Sequence, residues 1–156
     1  MEQFVLSILV ANNIGVLTRV TSLVSRRGYN IKSLNVGETE EREFSRITMV
    51  VEGDARTARQ IVNQLNKLYD VVFVKVLEDA VCREHILIKV GNSSEDRHGI
   101  IEIANLFKAK AVDIAESSMM LELTGSSVKI DQFISLLKPF GIIKIVRTGI
   151  SALERD

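Results

Sequence analysis

Tryptophan is absent, cysteine and proline occur once each, and only 5% of residues are aromatic. The lone cysteine, Cys82, excludes an intrachain disulfide and any zinc set built from several thiolates. With no disulfide framework to protect, a cytoplasmic location is expected. Neither sign of charge is in excess: Lys+Arg and Asp+Glu number 20 each, for a formal net charge of +0. A nucleic-acid binder carries a basic surplus, so no nucleic-acid partner is expected. Long apolar runs are missing as well. The apolar stretch in "MEQFVLSILVANN" follows Glu2 and is broken by Ser7, which fits a first strand better than a membrane span or a secretory leader.

Catalytic signatures are equally scarce. The chain contains no G-x-S-x-G, H-E-x-x-H, P-loop or G-x-G-x-x-G pattern, and its histidines are His85 and His98. Cys82 next to Arg83 and near His85 has the composition of an activated thiol, but the stretch "EDAVCRE" reads as a joint with no fixed geometry. Glu95, Asp96 and His98 carry metal-ligating atoms, yet acidic residues in the first turn of a helix are already explained by its dipole. No catalytic residue and no metal ligand is assigned, and the chain is not expected to be an enzyme by itself.

What is present is a duplication. "QFVLSILV" (3–10) reads as a buried strand, and Val16, Leu17, Val20, Leu23 and Val24 then follow at one-face helical spacing until Gly28. "YNIKSLNVGE" and "FSRITMVVEG" flank the charged "TEERE" as a hairpin. Asp54 can cap a helix with Ala58, Ile61, Val62, Leu65, Leu68 and Tyr69 on one stripe, and "VVFVKVL" closes the half as a strand. The second half repeats the order: "HILIKV", a helix from about Ser94, a hairpin of "AKAVDIA" and "SMMLELTG", a helix capped by Ser126 or Ser127 and ended by Pro139, then "IIKIV". The predicted fold is α+β, two tandem βαββαβ ferredoxin-like domains over residues 1–78 and 79–156. Halves this small are marginal alone, so association is expected. The first sheet is apolar on both faces, which calls for another subunit over the face without helices.

The same element order serves RNA recognition, but "FSRITMVV" lacks the stacking aromatics that this function needs, with only Phe44 at its edge. Arg19, Arg26 and Arg27 form a basic cluster on the first helix, whose default explanation is a solvated face with dipole compensation at the helix end. The stretch "VANNIGVLTRV" is more informative. A helix starting near Gly15 aims the free N–H groups of residues 14–17 at a small anion, and a glycine lets that anion approach the backbone. Asn12 and Asn13 are either turn formers and an N-cap, or ligand contacts. Asn30 stands where a strand begins, an unfavoured place for asparagine, and its amide offers a donor and an acceptor to a zwitterion.

The run "NNIGVLTRVTSLVSRRGYNIKSLNV" with "FSRITMVVEGD" resembles the ACT domain of the acetolactate synthase small subunits. The similarity extends through "QIVNQLNKLYDVVFV" and "ELTGSSVKIDQFISLLKPFGIIKIVRTG". The resemblance implies an N-terminal ACT domain and a regulatory role in branched-chain amino-acid biosynthesis. It implies activation of a catalytic large subunit and feedback inhibition by valine or a related amino acid. Thiamine diphosphate, magnesium and FAD would belong to that large subunit, none of them to this chain. It also implies a homodimer through ACT sheets that join side by side, with the effector between Asn12, Ile14, Gly15, Val16 and Leu17 of one protomer and Asn30 with Ile31 of the other. By elimination, the C-terminal half, which lacks an "NNIG" turn, and the bare sheet face are expected to meet the large subunit. The alternative is a free-standing ACT sensor acting on a different enzyme or a transcription factor.

Overall fold

A computed structural model describes residues 2–91, 93 and 95–155. Strand β1 (Glu2–Ala11) sits inside a sheet of order β2-β3-β1-β4, with β2 (Ile31–Glu38), β3 (Phe44–Gly53) and β4 (Val71–Leu77). Its period of two points Leu6, Ile8 and Val10 at the helices and Ser7 and Leu9 away from them. Helix α1 (Val16–Arg26) lays Val16, Val20 and Val24 on that core, and α2 (Ala55–Leu65) adds Ala58, Ile61 and Leu65. Gly28 ends α1 in the left-handed conformation, φ 75°. Its N–H donates to the Ser25 carbonyl and that of Tyr29 to the Val24 carbonyl, which satisfies two orphan acceptors. Asp54 starts α2 as expected, its carboxylate accepting from the Thr57 N–H at 2.7 Å.

The second sheet has order β6-β7-β5-β8, from β5 (Ala80–Gly91), β6 (Lys110–Ile114), β7 (Ser118–Gly125) and β8 (Ile142–Glu154). Helices α3 (Arg97–Phe107) and α4 (Ser127–Leu137) cover a core of Ile86, Ile88, Val90, Leu121 and Phe133. Ser126 is the cap of α4, accepting from the Lys129 N–H at 3.3 Å, and Pro139 lies in a short 3-10 turn just beyond the helix. The βαββαβ order is therefore present twice, as the sequence predicts. The expected helix start at Ser94 lies outside the described residues, and α3 begins at Arg97.

Two features depart from expectation. The compact units are Met1–Val81 with Ile150–Asp156, and Cys82–Gly149, not halves cut after residue 78. Strand β5 already begins at Ala80, so most of "EDAVCRE" is strand, with Arg83 exposed and Glu84 buried at 5% exposure. The end of β8 meanwhile belongs with the first unit. The Asn35 amide donates to Ser151 Oγ at 2.6 Å, Lys75 pairs with Glu154, and the Arg155 N–H donates to the Asp79 carbonyl. Ala152 lies among Ser7, Arg46, Phe73 and Leu77, residues of the face turned away from the helices. Residues 150–155 of the same chain cross that face, and Val50 there is only 1% exposed, while Phe73 keeps 39% of its surface open.

Candidate functional site

The turn from β1 into α1 is built on Gly15, which holds φ at 85° and serves as the N-cap with no side-chain hydrogen bond to the helix. The sequence offers Asn12 or Asn13 as cap, and neither fills that place. The Val16 N–H reaches the Asn13 carbonyl at 3.3 Å and the Arg19 N–H reaches the Gly15 carbonyl at 3.0 Å. Among the described residues the N–H groups of Gly15, Leu17 and Thr18 have no protein acceptor, which leaves donors for an anion at the positive end of α1. Val16 is buried in the core at 3% exposure, so only its backbone faces the turn. Ile14 is fully exposed and Leu17 partly so, which leaves two apolar side chains open beside the turn.

Asn12 is tied to the far end of the β2–β3 hairpin. Its Nδ2 donates to Glu38 Oε1 at 3.2 Å and to the Arg42 carbonyl at 3.0 Å, and its Oδ1 accepts from Ser45 Oγ at 3.1 Å. This hydrogen bonding makes Asn12 a fixed strut and places the Glu38 carboxylate beside the turn. Arg19, one helical turn beyond Gly15, brings its Nη1 to 3.3 Å from where a Gly15 Cβ would stand, and its guanidinium pairs with Asp70 at 2.6 Å. Neither Glu38 nor Arg19 was singled out for this site from the sequence. The i,i+4 spacing of Gly15 and Arg19 was the available signal for the second, whereas Glu38 needs the strand pairing. Together the turn offers N–H donors and a cation for a carboxylate, and a carboxylate for an ammonium group.

Asn30 stands elsewhere. Its carbonyl accepts from the Glu52 N–H, its Nδ2 donates to Glu52 Oε2 at 3.1 Å, and no acceptor role occupies its Oδ1 among the described residues. Ile31 follows as the first residue of β2 and is partly buried against the core. The Asn12 N–H bonds the Glu43 carbonyl at one end of β3, and Asn30 bonds Glu52 at the other. At about 3.3 Å per residue the two ends are roughly 30 Å apart. One chain thus does not bring the expected site residues together.

The remaining constellations are structural. Cys82 and His85 are three positions apart on β5 and so face opposite sides of the strand, which rules out a thiol–imidazole pair. His85 Nε2 instead lies 3.5 Å from Glu122. The buried Glu84 carboxylate takes Nε and Nη2 of Arg147 at 2.6 and 2.8 Å and the Ser127 hydroxyl at 3.2 Å, while Arg147 Nη1 reaches Asp131 at 2.8 Å. The hydrogen bonds that Arg147 donates to Glu84 above all, with the one to Asp131, outweigh burial and hold the guanidinium protonated beyond the usual arginine range. The group joins β5, α4 and β8.

Known proteins resemble this chain in both sequence and fold. A family model described as the AHAS small subunit-like ACT domain matches residues 6–73, and one described as the small subunit of acetolactate synthase matches residues 83–156. The chain named "Probable acetolactate synthase small subunit" of Archaeoglobus fulgidus is 44% identical over 151 residues, covering 96% of this chain and 95% of its own. The acetolactate synthase small subunit of Mycolicibacterium smegmatis is 44% identical over 152 residues, covering 96% of this chain and 89% of its own. The crystal structure of the acetolactate synthase small subunit from Thermotoga maritima superposes with a TM-score of 0.93 at 38% identity, over 100% of this chain and 99% of that one.

Proposed function

Because the chain belongs to the acetolactate synthase small-subunit family, we propose that it is the non-catalytic regulatory subunit of that enzyme, activating the large catalytic subunit and conferring feedback inhibition by valine or another branched-chain amino acid. Thiamine diphosphate, magnesium and FAD are assigned to the large subunit. The observation that carries the effector site is the separation of Asn12 and Asn30 to opposite ends of β3. Strand β2 is an edge of its sheet, begins beside Asn30 and ends at Glu38, the acceptor of Asn12. Two copies paired antiparallel along β2 place the start of one strand against the end of the other. Asn30 of a second copy then meets the β1–α1 turn, and a homodimer completes two equivalent sites. In such a site the free N–H groups and Arg19 receive a carboxylate, Glu38 and Asn30 face the ammonium group, and Ile14 with Leu17 take a branched side chain.

The test is large-subunit activity against valine concentration with wild-type and Asn30→Ala small subunit. Loss of a hydrogen bond to a charged group costs roughly 1.5–3 kcal/mol, so the valine response of Asn30→Ala should be about ten- to hundred-fold weaker. Activation should persist, because Asn30 serves the effector and not the catalytic partner. Equal inhibition by both proteins removes Asn30 from the site, and a wild-type protein that fails to activate removes the regulatory assignment.

A further inference from the structure

The helical layer of the first unit has one sign of charge. Residues 14–29 and 55–69 carry Arg19, Arg26, Arg27, Arg56, Arg59 and Lys67 and no aspartate or glutamate, in a chain whose net charge is zero. All of these cations are exposed. Arg19 pairs with Asp70, whereas Arg27 bonds the neutral Gln64, Arg59 bonds the Ala55 carbonyl, and Arg26, Arg56 and Lys67 have no carboxylate partner among the described residues. Helix physics accounts for only part of this pattern. Arg26 at the end of α1 is favoured by the dipole, whereas Arg56 in the first turn of α2 opposes it, the Asp54 cap being the acidic group at that end. Between α1 and the turn that follows α2 runs a groove floored by Leu23 and Leu68 and flanked by Arg19, Arg26 and Arg27. Tyr69 stands wholly exposed next to it. Arginine and tyrosine are the residue types that dominate interface energetics, and a desolvated apolar floor is where they do so.

We infer that this layer, centred on the α1 groove, is the docking surface for an acidic face of the acetolactate synthase large subunit, an inference that rests on the regulatory assignment above. The alternatives fit less well. The layer offers no row of stacking aromatics for a nucleic acid: Tyr29 is partly buried against the core with its hydroxyl on Gln60, which leaves Tyr69 as the exposed ring. Self-association along β2 extends the sheet sideways and leaves the helices of both copies uncovered on one side, so it neither occupies nor neutralises the layer. The opposite face of the first sheet is occupied by residues 150–155. This moves the expected docking site from the C-terminal half to the helices of the first.

The experiment measures binding of the large subunit and its activation by the full-length chain at low and high salt. It compares wild type, Arg26→Glu/Arg27→Glu, and Lys138→Glu/Lys144→Glu as a control of equal charge change on the second unit. We expect at least a ten-fold weaker association for the Arg26/Arg27 variant, a smaller deficit at high salt, and near wild-type behaviour for the control. Valine binding to the isolated Arg26/Arg27 variant, measured by calorimetry, should match wild type and shows that the variant is folded. Unchanged association of that variant overturns the inference, as does an equal loss in the control. So does a change confined to self-association or to binding of a DNA duplex. Failure of the wild-type chain to bind the large subunit instead overturns the regulatory assignment, a separate outcome read in the unmutated protein.

Discussion

Gly15 holds a backbone conformation, φ 85°, that costs an ordinary L-residue about 1–2 kcal/mol and that asparagine and aspartate tolerate best. This gives a comparison at constant size. Gly15→Asn and Gly15→Asp should both fold and should crowd the turn alike, since a Cβ there meets Arg19 Nη1 at 3.3 Å. They differ in charge. If the open N–H groups of the turn receive the carboxylate of an amino acid, the aspartate repels it and valine binding should vanish in calorimetry, while Gly15→Asn keeps a weakened isotherm. Equal isotherms for the two variants would place the ligand's carboxylate away from the turn. At this scale the sequence is a good guide to which residues are unusual and a poor one to what each touches. Gly15 and Asn30 stand out by type and position, but the three hydrogen bonds of Asn12 reach residues 26 to 33 positions away, and no local pattern reveals them.

Capping shows how far an element can be read locally. Asp54 ahead of a one-sided apolar stripe predicts the start of α2, and the structure has its carboxylate on the Thr57 N–H. That bond, with the neighbouring backbone, holds the Asp54 carboxyl below its ordinary value of 3.8. The fold therefore favours the ionised form, and the stabilisation is complete above 3.8 and is lost as pH falls through the lower folded value. Wild type should be more stable than Asp54→Ala at neutral pH, with a gap that closes on acidification below 3.8. Asp54→Asn, which caps without titrating, should show no such closure against Asp54→Ala. Thermal melts of the three proteins across this range decide it, and a gap independent of pH rejects the cap as its source. Strands are legible in the same way wherever one face is buried, as in Ile86, Ile88 and Val90. They are not legible where two elements compete for one face: Ile150 and Ala152 extend an unremarkable polar tail in the sequence, and only long-range packing shows what they cover.

For the whole molecule, a site completed by a second copy makes ligand binding and pairing one equilibrium. Valine held by both chains should raise the dimer fraction, and the stabilisation of the pair grows by about 2.7 kcal/mol for each of its two sites when free ligand reaches about a hundred times its dissociation constant. Sedimentation velocity at a fixed low protein concentration, with and without valine, measures this directly. Calorimetric binding that leaves the sedimentation profile of a monomer unchanged would rule out a shared site. The division of the chain has a consequence of another kind, in time. Residues 150–155 complete the first unit yet are translated after the whole of Cys82–Gly149. At 5–20 residues per second a ribosome needs on the order of ten seconds to make that intervening stretch. During that interval the nascent first unit holds its helices against its sheet while Val50 and Thr48 on the other side remain wet. Biogenesis thus includes a period in which an apolar sheet surface, hidden in the finished protein, is open to a chaperone or to another nascent copy.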